Sequence, residues 1–207
     1  MNWLQGGPYY EFSFLVRNKR NKESLLKEIL ESLTNRVNVK IVDSPNQLTE
    51  KVDSFVKGYE DEGILRRSID INSVIQIEGN RKSRIFIEEL SEELMKLNFW
   101  FYGSEYDAEE WNQIGIKENH KPKFRELFQL IKKELNPILG TIAYEEDCSE
   151  LFDTGELIPN ENYKLQNLNL QYIKQRVNLN PNEFEYCWIS ANQIGNKNEI
   201  EIKIKTG

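Results

Sequence analysis

The residues of this chain with the most obvious chemical capacity are carboxylates. Glu145, Glu146 and Asp147 stand in a row, and Asp107 and Glu110 belong to a second acidic stretch. Together they could offer hard oxygen ligands to a divalent cation, and Glu145, Glu146, Asp147 and Glu110 could serve as general acid and base in a hydrolase. Neither chemistry has its diagnostic spacing here, and no EF-hand pattern is present. Phe152-Asp153-Thr154-Gly155 has the form of one half of a proton-sharing aspartate dyad, but a dyad needs two copies and only one exists. Asp-Thr-Gly is also good turn chemistry, and that reading is preferred. Glu201-Ile202-Lys203 fits the E-x-K portion of a metal-dependent nuclease core, yet no partner aspartate accompanies it. Alternation with Ile200, Ile202 and Ile204 makes an exposed strand edge the simpler role. His120, the one histidine, has Lys117, Lys121 and Lys123 around it and reads as the start of a helix. Cys148 and Cys187 imply no disulfide framework and too few ligands for structural zinc; both are expected to be reduced thiols. Phosphate-cradling glycine loops are lacking, so no cofactor is expected.

The placement of the acids is more informative than their number. The chain carries 34 Asp and Glu against 27 Lys and Arg, a net charge of -7 at pH 7. Between Ile138 and Tyr163 stand seven acids (Glu145, Glu146, Asp147, Glu150, Asp153, Glu156, Glu161) and no Lys or Arg. Phe99 to Ile116 holds four more (Glu105, Asp107, Glu109, Glu110), again without a base, which leaves the rest of the chain net basic. Aromatic rings supply contact area in interfaces, and acids around them steer a basic partner. The expectation is one docking surface for a basic protein, made of Trp100, Tyr102, Glu105, Tyr106, Asp107, Glu109, Glu110, Trp111, Tyr144, Glu145, Glu146 and Asp147. The plainer alternative makes Trp100 and Tyr144 core residues and the acids a solvated rim. The same charge balance argues against nucleic acid as a partner. The basic stretches Arg17 to Lys22 and Arg81 to Arg84 read as loops leading into helices.

Asn98-Phe99-Trp100-Phe101-Tyr102-Gly103-Ser104-Glu105 and Gly140-Thr141-Ile142-Ala143-Tyr144-Glu145-Glu146-Asp147 are similar to stretches that bacterial toxin-immunity proteins often carry. The resemblance implies a non-enzymatic protein that neutralises a basic toxin or nuclease by covering its active cleft. It implies no particular architecture.

Several elements must position these residues. Tyr9 to Arg17 alternates with Phe12, Phe14 and Val16 on one side, the period of a half-buried strand. Leu25, Leu26, Ile29, Leu30 and Leu33 form a helical stripe within Asn21 to Asn35, and Val37, Val39 and Ile41 alternate again. A second helix is predicted over Gln47 to Tyr59, stopped by Gly58 or Gly63, and a strand over Ile69 to Ile77 closed by Gly79-Asn80. Phe86, Leu90, Leu94 and Leu97 predict a helix over Ser83 to Leu97, followed by a short strand from Phe99 to Tyr102. Lys121 to Leu135 is an amphipathic helix ended by Asn136-Pro137, with a strand from Ile138 to Tyr144 behind it. The stretch Leu165 to Val177 has no clear period, and a hairpin is expected at the C-terminal end, from Phe184, Tyr186 and Trp188 to Ile200, Ile202 and Ile204.

These elements predict a single α+β domain over 1-207, with a mixed, mostly antiparallel sheet and helices packed on one face. A ferredoxin-like core plus the C-terminal β-hairpin is the expected arrangement. No apolar run is long enough for a membrane span, and no signal segment opens the chain, so a cytoplasmic location is expected. The functional expectation is a non-enzymatic partner-binding protein, an immunity protein or inhibitor. The alternative is a metal-dependent or carboxylate-based hydrolase.

Overall fold

The computed structural model describes residues 4, 9-37, 39-102, 116-153, 158-179, 184-190 and 200-202, with the backbone alone for Tyr102 and 200-202. In chain order the elements are β1 (Tyr9–Arg17), α1 (Lys22–Arg36), β2 (Lys40–Ile41), α2 (Pro45–Lys57), β3 (Tyr59–Asp61), β4 (Ile64–Arg66), β5 (Ser68–Gln76) and β6 (Asn80–Glu89). There follow β7 (Leu94–Tyr102), α3 (Lys121–Leu135), β8 (Leu139–Tyr144), 3-10 turns at Cys148–Leu151 and Leu165–Asn167, α4 (Leu170–Leu179), β9 (Phe184–Ile189) and β10 (Ile200–Ile202).

Local chemistry sets the helix ends. The side chain of Asn21 accepts the backbone N–H of Ser24 at 2.9 Å and caps α1. Ser44 and Gln47 form a reciprocal capping box on α2, with Pro45 in its first turn. At the far end of α2, Gly58 takes φ 72, and a Cβ there would meet the Arg66 carbonyl oxygen at 2.8 Å, so only glycine fits. Asn136, at φ 45, closes α3 just before Pro137.

The main sheet has the order β10-β9-β8-β1-β7-β6-β5-β2, and every neighbouring pair in it is antiparallel. β1 lies between β7 and β8, both antiparallel to it. β7, α3 and β8 therefore form a crossover split by β1, which is one half of a ferredoxin-like arrangement. The first strand-helix-strand unit differs, because β7, β6 and β5 stand between β1 and β2. The C-terminal hairpin is present as β9 and β10. Beyond the two-residue β2, the β5 edge is closed off by other groups. Val42 N–H donates to the Asn72 carbonyl at 2.9 Å, Asn72 N–H to Asp43 at 3.0 Å, and Lys51 to the Asp70 carbonyl at 2.8 Å.

Helices cover both faces. Phe12, Phe14 and Val16 of β1 pack with the buried stripes of α1, α2 and α3 in one cluster. Its aromatic centre meets edge to face, as in Phe12 against Phe101 at 5.1 Å and 89°. Phe128 of α3 fits over Gly140, where a Cβ would fall 2.6 Å from its ring. Leu15, which points the other way, belongs to a second cluster with Ile173 and Val177 of α4, Cys148, Leu151 and Cys187. The stretch without a clear period thus contains α4, the helix of the second face.

The predicted helix over Ser83 to Leu97 is instead the end of β6, a turn and the start of β7. Phe86, Leu90, Leu94 and Leu97 mimic helical spacing, but Ile85 and Ile87 alternate with Arg84, Phe86 and Glu88, and the long-range pairing to β5 and β7 decides for strand. Arg81 to Arg84 accordingly lie within β6 and lead into no helix. Among the described residues no helix is long and apolar enough to cross a membrane.

Candidate functional site

The register of β8, β1, β7 and β6 lays three rows of side chains across the second face. Ala143, Glu11, Trp100 and Arg84 make one row, and Thr141, Ser13, Asn98 and Phe86 the next. Leu139, Leu15, Lys96 and Glu88 make the third. Positions that would be apolar in a fully covered sheet here hold a connected polar network. Trp100 Nε1 donates to Glu11 Oε2 at 2.7 Å, and Asn98 Nδ2 lies 3.2 Å from both Glu11 Oε2 and Asp147 Oδ2. Ser13 Oγ donates to Asn98 Oδ1 at 2.7 Å and accepts the Cys148 N–H at 3.0 Å. Lys96 Nζ bonds Asp147 Oδ2 at 2.7 Å and stands 3.2 Å from Glu88. Ser149 completes the shell around Asp147 through its backbone N–H at 2.7 Å and its hydroxyl.

Burial and pairing drive the charges apart. Burial pushes Glu11 up to about 8, and the negative charge of Asp147 adds to the rise, while the Trp100 hydrogen bond opposes it. Glu11 is therefore largely protonated at neutral pH. Burial would also raise Asp147, but the Lys96 ammonium and the donors of Lys96 and Ser149 outweigh it and hold the carboxylate below its usual range. Burial would lower Lys96, and Asp147 and Glu88 together hold it above its ordinary value. Cys148 is pushed up to about 12 by burial, so it is an inert thiol. Two carboxyl groups of opposite protonation thus share the Asn98 amide, one able to give a proton and one fixed as an anion.

Both acidic stretches leave the sheet at one end. Tyr9 and Tyr10 at the start of β1 pair with Tyr102 at the end of β7 and Tyr144 at the end of β8, respectively. Parallel to each other and separated only by β1, the two strand ends are roughly 10 Å apart. Beyond them the expected surface divides. Trp100 is half-buried on the second face and stacks on Phe86 at 5.3 Å and 17°. Tyr144 lies on the opposite face, edge-on to Tyr10 at 5.5 Å. Glu145 is exposed, Glu146 sits 3.7 Å from Arg176 of α4, and Asp147 points inwards to Lys96. Glu105, Tyr106, Asp107, Glu109, Glu110 and Trp111 lie outside the described residues, and Tyr102 is placed by its backbone only.

Among the described residues no group of His, Cys, Asp and Glu is arranged to hold a metal ion. Asp153 is exposed, while Thr154 and Gly155 lie outside the described residues, as does Lys203 of the E-x-K stretch. His120 does stand at the start of α3, with Nδ1 2.6 Å from Glu78. The sequence matches no protein-family model and no curated protein.

Glu11, Ser13, Glu88, Lys96 and Asn98 escaped the sequence reading. A signal was available in Leu94 to Phe101, where Lys96 and Asn98 interrupt an otherwise apolar run that must be strongly buried.

Proposed function

We propose that this protein is a non-enzymatic binding protein of the immunity or inhibitor kind, which receives a basic protein at the sheet end formed by β7 and β8. The shared exit of the two acidic stretches, at Tyr102 and Tyr144 on either side of β1, carries this reading. On this reading the fields of Glu145 and of the acids at 105-110 combine, which raises the encounter rate with a basic partner and makes it sensitive to salt, while Glu146 and Asp147 are already paired with Arg176 and Lys96. Exposed Glu145 and the acids at 105-110 are the steering charges, and the half-buried Trp100 beside Phe86 is an aromatic anchor at the margin. Asp147 serves as internal support for the strand end. The test is salt-eluted capture of basic proteins on the immobilised chain and on the Glu110→Lys, Glu145→Lys double variant. Loss of captured basic proteins is expected; the same proteins retained by the variant, with the same salt dependence, would reject the reading.

A carboxylate-based hydrolase is the second reading, favoured by the opposed protonation of Glu11 and Asp147. It requires hydrolytic turnover of a glycoside or ester panel that vanishes in Glu11→Gln. Turnover absent in the native chain, or unchanged in the variant, rejects it.

A further inference from the structure

At the other end of the sheet, β3 and β4 form a separate hairpin between α2 and β5. The large apolar side chains Val56, Tyr59 and Leu65 concentrate there, exposed by 40%, 50% and 47%. Tyr59 and Leu65 point to opposite sides of the hairpin, as their alternate positions require. Leu65 forms one lip of a cleft of about 520 Å³, which also runs along the turn between β6 and β7 and along residues 159-164. Its walls are tied to each other. Asn160 N–H donates to the Leu90 carbonyl at 2.9 Å, and Ser91 Oγ to the Tyr163 carbonyl at 2.5 Å. The cleft is thus preformed, and little ordering entropy opposes binding there.

Its charges are arranged in two tiers. At the base, Glu89 is 7% exposed and is held between Lys22 at 2.5 Å and Arg67 at 3.0 Å, so the base carries one cation more than it has carboxylates and the acidic character of the cleft lies at its rim alone. At the rim, Glu92, Glu93 and Glu161 are exposed, and the nearby Lys164 stands 4.0 Å from Glu161. An apolar lip beside a rim of exposed carboxylates complements a chain that alternates cationic and apolar side chains. A second copy of this protein, itself at -7, would bring further repulsion to an acidic cleft.

We propose that this cleft is a second docking surface, which takes a basic segment of a partner protein, with Lys or Arg among Glu92, Glu93 and Glu161 and an apolar side chain against Leu65. It lies about 26 Å from the end formed by Tyr102 and Tyr144, given the nine-residue length of β1 and the usual rise per strand residue. Its residues are separate from those of the first surface, so one can fail without the other.

The test is a titration of the isotope-labelled chain with the acetylated peptide Lys-Leu-Lys-Arg-Leu-Lys, followed by amide chemical shifts. Saturable shifts at Leu65, Ser91 to Glu93 and Asn160 to Lys164 are expected, and the all-glutamate counterpart of the peptide should give none. Glu92→Lys with Glu93→Lys should weaken binding by about tenfold, whereas Glu145→Lys should leave it unchanged. Leu65→Ser, at an exposed position, provides a second variant that leaves the fold alone and should also weaken binding. Non-saturating shifts, shifts confined to the Tyr102 and Tyr144 end, or equal affinity in the cleft variants would overturn the proposal. So would concentration-dependent dimerisation in sedimentation that disappears in Leu65→Ser, because the occupant would then be a second copy.

Discussion

Trp100 and Glu11 face each other across the β7–β1 pair, with the indole N–H 2.7 Å from the carboxyl oxygen. The indole also stacks on Phe86, so one half-buried residue links a pair of stacked rings to the polar network. The bond satisfies a donor that burial would otherwise leave costly. It also serves a carboxyl that is neutral for much of the physiological range, because burial outweighs the hydrogen bond.

Stability should decline as pH rises through this carboxyl's range. The folded value of about 8 lies above the ordinary 4.5, so between these values the fold keeps a proton that the unfolded chain has released. The contribution is fully present below about 4.5 and is lost as pH approaches 8. Glu11→Gln mimics the protonated form. It should match the native chain near pH 5 and be more stable by about 2 kcal/mol at pH 9, a value reduced for the group's partial exposure. Urea denaturation followed by far-ultraviolet circular dichroism at the two pH values measures the difference, and parallel curves at both would contradict it.

Lys96 should be the most sensitive position of the network. Lys96→Met removes the cation that serves Asp147 and Glu88 and leaves two half-buried carboxylates uncompensated, a loss of roughly 2–4 kcal/mol, below that of a fully buried pair. Adding Asp147→Asn should recover part of that loss, because one of the orphaned charges goes with it. Strict additivity in the double-mutant cycle would show that the pair is not coupled.

Gly140→Ala should destabilise by about 1–3 kcal/mol through overpacking. The added methyl would meet the rings of Phe128 at 2.6 Å and Phe14 at 2.9 Å, both deep in the core. Combined with Phe128→Leu, the loss should be smaller than the sum of the two single losses. A melting temperature unchanged in Gly140→Ala would mean that α3 can shift away from β8.

Cys148 and Cys187 should resist alkylation in the folded protein. Both are fully buried, and burial pushes Cys148 to about 12 and Cys187 still higher. Iodoacetamide labelling should follow the unfolded fraction as urea is raised. Fast labelling of either thiol in the absence of urea would show that the layer of α4 opens independently of the sheet.

Much of the fold was legible because it is written locally. The alternation of Tyr9 to Arg17 marked a strand, but not that this central strand is covered on both faces, with Leu15 buried opposite Phe12 and Phe14. The stripe of Leu25 to Leu33 buries one face of one helix, and Pro137 and Gly58 act on the backbone beside them. The helix from Lys121 to Leu135 was legible over its full length for the same reason. Ser83 to Leu97 was not, because its apolar residues satisfy both periods and only neighbouring strands choose between them. α4 was hidden because its apolar positions are few, and its partners, Cys148 and Cys187, lie in other elements.

The sequence by itself determined that acids gather in two stretches, each following a strand, and that aromatic side chains accompany them. Charge and period are properties of neighbours along the chain, and no folding is needed to read them. Only the tertiary structure decided which of the described acids among them face outwards. Asp147 and Lys96 are separated by 51 positions, and Glu11 and Trp100 by 89. Their meeting depends on strand order and register, which minimise the free energy of the whole sheet and leave no mark at any one residue. That is why Asp147 turns inwards to a lysine, Glu145 remains exposed, and Glu11 keeps its proton.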